Sequence, residues 1–337
     1  MPEPKRVGVI AREYLAKYPD VPILRLANMM AKDDPKTFSA HSARNLLSWH
    51  SGKRGGRSRK HKSKVVKSKL VPDNRVPFAY RAPKTHADPT QPFVIAGEQR
   101  ILRLCDIHYP FHDEAALSAA IEYGMKGDPT ILLLDGDVID CHDLSVHDKD
   151  PRHRYTEIEL QMIAAELEQF RQAFPKARII WKEGNHEFRL QRYLTRRAPE
   201  LFGLEGMDIP GLIKMANGPA AMDRVEWVTD KRVIRAGNIA FLHGHEFMGG
   251  GGVNPARWLF LRTGENATCG HFHRTSEHSE PGLSKAPRGA WSSGCLCDLS
   301  PAYNPHNKWN HGFQWIDVER SGNFRLKNIR VVDGKVY

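Results

Sequence analysis

The sequence of 337 residues predicts an α/β domain whose mainly parallel sheet is covered by helices, preceded by a small helical module. Three observations predict this. Strand and helix patterns alternate from residue 98 onward, short β-rich segments follow residue 224, and residues 1–50 contain three short stretches with helical spacing.

The alternating part begins with a strand. In chain order the pattern predicts a strand at 100–105, a helix at 113–125, a strand at 130–135, a helix at 155–174 and a strand at 178–182. The second helix is the clearest, because Ile163, Leu167 and Phe170 recur at intervals of three and four before Pro175 ends it. Strands joined by helices in this way favour parallel pairing.

The C-terminal third is richer in short strands. They have the sequences VEWV, RVIRA, IAFLH, FQWIDV and FRLKNIRVV, with one further helix predicted at 254–263. We expect these strands to form a second sheet that packs on the first.

The N-terminal module is predicted at residues 1–50. Ala11, Tyr14 and Leu15 lie on one face of the first helical stretch, the second begins near Pro22, and the third begins near Ser39. Three helices of this size suggest a helix-turn-helix-like unit. Residues 51–97 are predicted to be a basic, proline-rich linker, and the main domain is predicted at 98–337.

Positive charge is concentrated in the first quarter of the chain. Residues 1–88 contain 20 Lys and Arg against 7 Asp and Glu, a net +13, whereas the whole chain carries +11. The segment 53–69 alone holds nine Lys or Arg and no acid. Since basic groups bind phosphates, we expect nucleic acid, DNA in particular, to bind through residues 1–70.

The third helix offers a polar face for such binding. Its members are His41, Arg44, Asn45 and Ser48. Two alternatives stay open, since the helices could dock a partner or a second copy of the chain, and the basic tail could be a solvated linker.

Composition excludes several classes of protein. No stretch approaches the ~20 apolar residues that cross a bilayer, and no secretion signal is recognisable. We therefore expect a soluble, cytoplasmic protein. The five cysteines include no CxxC pair, which argues against a disulfide framework and against a thiolate zinc site.

Five small clusters of Asp, Asn and His follow strand-like runs. They contain Asp106 and His108, Asp137 and Asp140, Asn185 and His186, His243 and His245, and His271 and His273. Because ligands bind at the carboxyl ends of strands in open α/β sheets, we expect most of these groups to face one crevice.

Such a set of side chains indicates a metal centre. Acidic and imidazole groups crowded together are costly unless a cation shares them. Nitrogen and oxygen ligands suit Mn²⁺, Mg²⁺, Fe or Zn²⁺, and one carboxylate such as Asp137 can bridge two ions. We expect two divalent ions, with Mn²⁺ favoured.

The motifs DxH, GDxxD, GNHE, HGH and GHxH, in this order over residues 106–273, resemble the signature of the calcineurin-like metallophosphoesterases. The resemblance implies a four-layer α/β sandwich, with two mixed sheets flanked by helices. It also implies two ligand sets. Asp106, His108, Asp137 and His273 would hold one metal, and Asp137, Asn185, His243 and His271 would hold the other.

The resemblance further implies attack on phosphorus by a metal-bridging hydroxide, with His186 as general acid beside the leaving oxygen. Asp140 would orient His186 through a hydrogen bond. Alternatively, Asp140 is a turn residue that caps the next segment. His245 is left outside the ligand sets.

The motifs alone leave the substrate open. Cys141 stands directly after GDxxD, where the Ser/Thr protein phosphatases have an arginine, although GNHE is an ending that those phosphatases share. A small unit followed by a basic linker also resembles phage-encoded members of the superfamily. The positive charge of residues 1–88, called the basic arm below, favours a DNA nuclease, with an endonuclease preferred. The alternatives are a phosphomonoesterase, a protein phosphatase or a nucleotide phosphodiesterase with a nucleic-acid-binding arm, and a binding protein with a vestigial site.

Overall fold

The computed structural model describes residues 4–52, 81–87, 90–147, 154–229, 231–249, 252–283 and 285–337. The predicted basic segment at 53–69 lies outside the described residues. The chain divides into two units, Met1–Ala87 and Asp88–Tyr337.

The described residues of the first unit form three helices. They are α1 (Pro4–Lys17), α2 (Ile23–Asp33) and α3 (Ala40–His50). The side chain of Ser39 caps α3 by accepting the backbone N–H of Ser42. A small apolar core joins the helices through residues such as Leu26, Met30 and Leu47. The helical stretches expected in residues 1–50 are therefore present, whereas a helix-turn-helix function for them stays a prediction.

The second unit alternates strands and helices before it becomes rich in strands. Its elements are β1 (Phe93–Ile95), β2 (Gln99–Leu104), α4 (Glu114–Gly127), β3 (Ile131–Asp135), α5 (Thr156–Ala173), β4 (Arg178–Lys182), α6 (Phe188–Arg197), α7 (Ile209–Asn217), β5 (Val225–Val228), β6 (Ile234–Ala236), β7 (Ile239–Phe241), α8 (Pro255–Thr263), β8 (Ala267–Cys269), β9 (Ser276–Pro281), β10 (Pro287–Ser292), β11 (Gly312–Val318), β12 (Phe324–Val332) and β13 (Lys335–Val336).

The early alternation agrees with the sequence prediction to within two residues at each end. The start predicted at residue 98 is late, because β1 already pairs with β6. Sequence reasoning also missed α6, α7, β9 and β10. The strand β9, SEHSEP, has only polar residues and a terminal proline, so it carries no apolar alternation.

Two mixed sheets form the centre of this unit. The seven-stranded sheet has the order β13-β12-β11-β2-β3-β4-β5, in which β2 to β5 are parallel. The six-stranded sheet has the order β1-β6-β7-β8-β10-β9 and mixes parallel with antiparallel pairs.

The expectation that all later strands form the second sheet is wrong. VEWV is β5, FQWIDV lies in β11 and FRLKNIRVV is β12, and all three belong to the first sheet. The strand β11 is buried on both faces and pairs with β2 in the register Gln314↔Arg103. Periodicity identifies a strand, but long-range pairing decides which sheet it joins.

Three apolar clusters separate four layers. Side chains such as Leu102 and Leu132 pack against α4, α5 and the helices that follow them. Ile101, Ile131 and Phe241 pack between the two sheets. On the far side of the second sheet, Leu259 of α8 packs on β7, β8 and β10. The predicted four-layer sandwich, with two mixed sheets flanked by helices, is confirmed.

This arrangement brings the carboxyl ends of β2, β3 and β4 to one edge of their sheet, since parallel strands end together. The parallel neighbours β7 and β8 of the other sheet likewise end side by side. No described helix is long and apolar enough to cross a membrane.

Candidate metal centre

The predicted ligands stand at equivalent places in the fold. Asp106, Asp137, His243 and His271 each lie two residues beyond the end of a strand, and Asn185 lies three beyond β4. Asp106, Asp137 and His271 have φ values of 54°, 53° and 64°, in the left-handed region. Strain of this kind persists where the surroundings hold a residue firmly, and it is common at functional sites.

One group of side chains gathers around Asp106. Its Oδ1 atom lies 3.2 Å from Nε2 of His273. The Nε2 atoms of His108 and His273 are 3.3 Å apart. His108 Nε2 is also 3.9 Å from Oδ2 of Asp137. All four residues are buried, so the structure brings together the whole set expected for the first metal.

A second group shares Asp137. Nε2 of His243 lies 3.0 Å from Asp137 Oδ2, while His243 Nδ1 lies 2.9 Å from the carbonyl oxygen of Asp135. Because a carbonyl only accepts, Nδ1 carries the hydrogen and Nε2 is available as a ligand. Asp137, His243 and His271 offer ligand atoms within 4.8 Å of one another. Asp137 therefore lies between the two groups, as a bridging carboxylate would.

Asn185 provides an independent test of whether this set suits a cation. Its Oδ1 atom is buried and accepts no hydrogen bond from the described residues. A buried amide oxygen without a donor is costly. A bound divalent cation would satisfy such an oxygen, so the donor set fits a metal centre.

The charges of the buried carboxylates also favour the binding of a cation. Burial alone would raise the pKa of Asp106 and Asp137, but the surrounding histidines hold both pKa values well below the usual range. For His243, burial opposes protonation, yet Asp137 and Asp106 raise its pKa to about 10. Burial and the nearby His243 lower the pKa of His271 to about 4. The carboxylates thus attract positive charge to this crevice, from a proton or from a metal.

Cys297 was missed by the sequence analysis. Its Sγ atom lies 3.7 Å from Nδ1 of His273, and His108, His273 and Cys297 form a further group able to hold an ion. All five cysteines are free and buried. The sequence carried no signal for Cys297, because Cys295 and Cys297 lack the spacing of a thiolate motif.

Asp140 holds two histidines at once. Its Oδ1 atom lies 3.0 Å from His108 Nδ1 and 2.9 Å from His186 Nδ1. Burial would raise the pKa of Asp140, but hydrogen bonds to His108, His142 and His186 keep it well below its usual range. Asp140 therefore stays ionised and orients both rings. This position agrees with an orienting role better than with a simple turn residue, and the catalytic role itself stays a prediction.

His186 faces the same carboxylate as the metal ligands. Its Nε2 atom lies 3.8 Å from Oδ2 of Asp137, and its backbone N–H donates to Asp137 Oδ1 at 2.9 Å. His108, Asp137 and His186 form another group of potential ligands. The geometry leaves His186 two roles, as ligand or as proton donor, and the general-acid role stays a prediction.

Arg189 was also missed. It lies in α6, one helical turn after His186, and donates to the carbonyl oxygen of Asp140 at 2.8 Å and to His186 Nε2 at 3.0 Å. The separation of three residues across the turn that leads into α6 was the available signal. A guanidinium thus reaches the site from α6, although no arginine follows the GDxxD motif.

Two glutamates accept hydrogen bonds from the backbone of the loops that carry the predicted metal ligands. Glu187 accepts the backbone N–H groups of Asp137, Val138 and Gly184 at 2.7–3.0 Å. Glu246 accepts those of His243 and Gly244 and forms a buried ion pair with Lys182 at 3.0 Å. The final glutamates of GNHE and HGHE therefore shape the backbone rather than bind metal.

The glycines of these motifs allow close approach. A Cβ atom on Gly184 would overlap the backbone and side chain of Asp137, and one on Gly136 would overlap the ring of His243. Gly136 also has φ +84°, which favours glycine. Only glycine fits where these loops cross.

Four further histidines occur in or near the loops that carry the motifs. The ring of His245 is 5.3 Å from that of His243, and His142 Nδ1 is 3.6 Å from Asp140 Oδ2. His112 packs on Tyr109, whereas His147 is exposed.

No protein-family model and no curated protein matches the sequence. Vacuolar protein sorting 29 from Cryptosporidium parvum is similar in structure at 14% identity, over 72% of this chain and 95% of that chain, with a TM-score of 0.40. YfcE, a phosphoesterase from E. coli, has 11% identity over 68% and 98%, with a TM-score of 0.32. A dimetal phosphatase from Danio rerio has 13% identity over 69% and 94%, with a TM-score of 0.34. Similarities this remote assign no activity to the chain.

Proposed function

We propose that this protein is a binuclear metal-dependent phosphoesterase of the calcineurin-like metallophosphoesterase superfamily, and that it hydrolyses phosphodiester bonds in DNA as an endonuclease. One observation carries the proposal. Two groups of Asp and His side chains share Asp137, and Asn185, whose neighbour His186 donates its backbone N–H to Asp137, has a buried Oδ1 that accepts no hydrogen bond from the described residues. This is the donor set that a pair of divalent ions requires.

Asp106, His108, Asp137 and His273 would hold one ion, and Asp137, Asn185, His243 and His271 would hold the other. Nitrogen and oxygen ligands suit Mn²⁺, Mg²⁺, Fe and Zn²⁺, and of these we propose Mn²⁺. When bound, the two ions supply Lewis acidity to the phosphoryl oxygens and activate the attacking water.

The chain supplies the proton transfer. Asp140 accepts from His186 and fixes its ring, and His186 then presents Nε2 toward the centre. We assign to this atom the donation of a proton to the leaving oxygen. Arg189, beside it, would bind a non-bridging oxygen of the phosphate, since a guanidinium pairs well with phosphate.

Nucleic acid as substrate is supported by charge. The first 88 residues carry a net +13, and each neutralised phosphate contributes to affinity. In α3, His41 and Arg44 are exposed, and Asn45 bonds to His41 at 3.0 Å, which leaves a polar face available for a groove. A cytoplasmic location suits this substrate.

The deciding experiment compares substrates in parallel with added Mn²⁺. Supercoiled plasmid, linear duplex, single-stranded circular DNA and bis-p-nitrophenyl phosphate are incubated with the purified full-length protein. Cleavage of a circular substrate is expected, because only an endonuclease can open a circle. Hydrolysis of the small diester without any DNA cleavage would overturn the nuclease assignment, and turnover undiminished by exhaustive chelation would overturn the metal mechanism.

A further inference from the structure

A cavity of about 320 Å³ opens directly beside the metal centre. We propose that it binds one unstacked nucleobase of the nucleotide adjoining the scissile phosphate. The inference rests on the proposed function and adds a substrate feature, namely an unpaired base at the cleavage site.

Contact with the catalytic groups is the first support. His108 and Asp140 form part of the cavity wall and also belong to the centre described above. A ligand in the cavity therefore contacts two side chains, His108 and Asp140, that also face the candidate centre.

Aromatic surface is the second support. Phe111, Tyr303 and Trp309 line the cavity. The ring centroid of Trp309 lies 4.2 Å from that of His273 and 6.3 Å from that of Tyr303. Tyr303 is 78% exposed, a high value for a tyrosine that forms part of a wall. Bases stack on such rings irrespective of sequence.

A polar group completes the wall. Asp298 lines the cavity, and its Oδ1 atom accepts the backbone N–H of Ser300 at 2.9 Å. An ionised carboxylate only accepts hydrogen bonds. It therefore suits the donor groups on the edge of an unpaired base, such as the exocyclic amine of adenine, cytosine or guanine and the N3–H of thymine.

The volume of the cavity determines whether a paired or an unpaired base can enter it. A volume of about 320 Å³ lies at the lower end of ligand sites. It accommodates a base with its sugar but not a base pair within a duplex, so the base must leave its stack. Single-stranded DNA, or duplex that opens locally, is the substrate form that fits.

The test compares adenosine monophosphate with ribose 5-phosphate as inhibitors of bis-p-nitrophenyl phosphate hydrolysis. Both carry the phosphate, and only the first carries a base. Because a stacked base contributes about 1–3 kcal/mol, the nucleotide is expected to inhibit at least about 5-fold more tightly. In Tyr303→Ala the two inhibition constants are expected to converge, with that of ribose 5-phosphate unchanged. Tyr193→Ala, at an exposed tyrosine on α6, is the matched control.

A second measurement is independent of turnover. Adenosine and ribose are compared by saturation-transfer NMR on the metal-free protein, where Trp309→Ala and Tyr303→Ala are expected to abolish the adenosine signal. Trp309→Phe should retain it and checks that packing against His273 is preserved. Equal inhibition by the nucleotide and the sugar phosphate, or an adenosine signal that survives both alanine variants, would overturn the base site. An inactive protein that still binds adenosine would instead contradict only the proposed function.

Discussion

Arg189 donates a hydrogen bond from Nη2 to Nε2 of His186, across 3.0 Å. Since arginine never accepts, Nε2 of His186 is unprotonated in this arrangement, and its Nδ1 faces Asp140 at 2.9 Å. Before Nε2 can donate a proton to a leaving group, this contact must open and Nε2 must take up a proton from solvent. A phosphate that attracts the guanidinium would open it, so substrate binding and acid catalysis are coupled through these two residues.

Replacement of Arg189 by Ala is therefore expected to lower kcat/KM for bis-p-nitrophenyl phosphate by about 10²-fold, because a charged donor to the phosphate is lost. Arg189→Lys should recover only part of the lost kcat/KM, since an ammonium group lacks the planar arrangement of N–H donors that a guanidinium has. Arg192→Ala is the control, because this arginine of α6 lies over Phe188. Equal kinetics in the Arg189 and Arg192 variants would contradict the role.

Replacement of His186 by Ala is expected to lower kcat by about 10²- to 10⁴-fold while two metal equivalents remain bound. Elemental analysis of the purified variant measures the metal, and steady-state assays measure kcat. The exposed loop residue His147 provides the matched control, His147→Ala. Loss of one metal equivalent from His186→Ala would identify His186 as a ligand instead.

Replacement of Asp137 by Asn should reduce the bound metal to one equivalent or fewer and abolish turnover, because this carboxylate faces both ligand groups. The fold should survive, since Glu187 still accepts the backbone N–H of residue 137. Thermal unfolding in chelator checks that point, with Asp223→Asn at an exposed carboxylate as control. Two equivalents retained in Asp137→Asn would exclude a bridging role.

Glu159 is expected to make stability depend on pH. Burial raises its pKa to about 7, from a usual value of 4.5. The folded state then holds the proton more tightly than the unfolded chain, so this contribution to stability falls as pH rises from about 4.5 to about 7 and levels off above.

The substitution Glu159→Gln removes the loss of stability that ionisation of Glu159 causes. The glutamine side chain can still accept the backbone N–H of His142. In chelator, the gain in Tm of the variant over the natural protein should therefore be larger at pH 8 than at pH 5. Glu157→Gln, at an exposed position on the same helix, is the control. A Tm difference that does not change with pH would refute the assignment.

Replacement of Arg44 by Ala is expected to weaken DNA binding and to reduce the slope of log affinity against log salt by ~0.9, the effect of one lost phosphate contact on duplex DNA. Lys176→Ala, an exposed lysine of the second unit, should leave the slope unchanged. Deletion of residues 1–87 should flatten the slope further while hydrolysis of the small diester survives. If the truncated protein and the full chain had the same slope of log affinity against log salt, the basic arm would not contribute to DNA binding.

The sequence by itself predicted most of the early helices and strands and named the residues that we propose for the centre. Apolar periodicity identified α5 and β4 to within a residue or so, because amphipathic spacing is a property of consecutive side chains. The short motifs named Asp106, Asp137 and His243 because charged and imidazole groups directly after buried strands are costly without a function. The four-layer arrangement followed from the resemblance of those motifs to a known family.

Only the tertiary structure decided which distant segments meet. Local spacing could not assign β11 to the first sheet, since its pairing with β2 joins residues more than 200 positions apart. Arg189, Cys297 and Trp309 bear on the centre solely through contacts made after the sheets are stacked. Whether two distant segments lie close together depends on how the sheets and helices pack. The free energy of that packing is distributed over many residues, so no single segment of the sequence determines it.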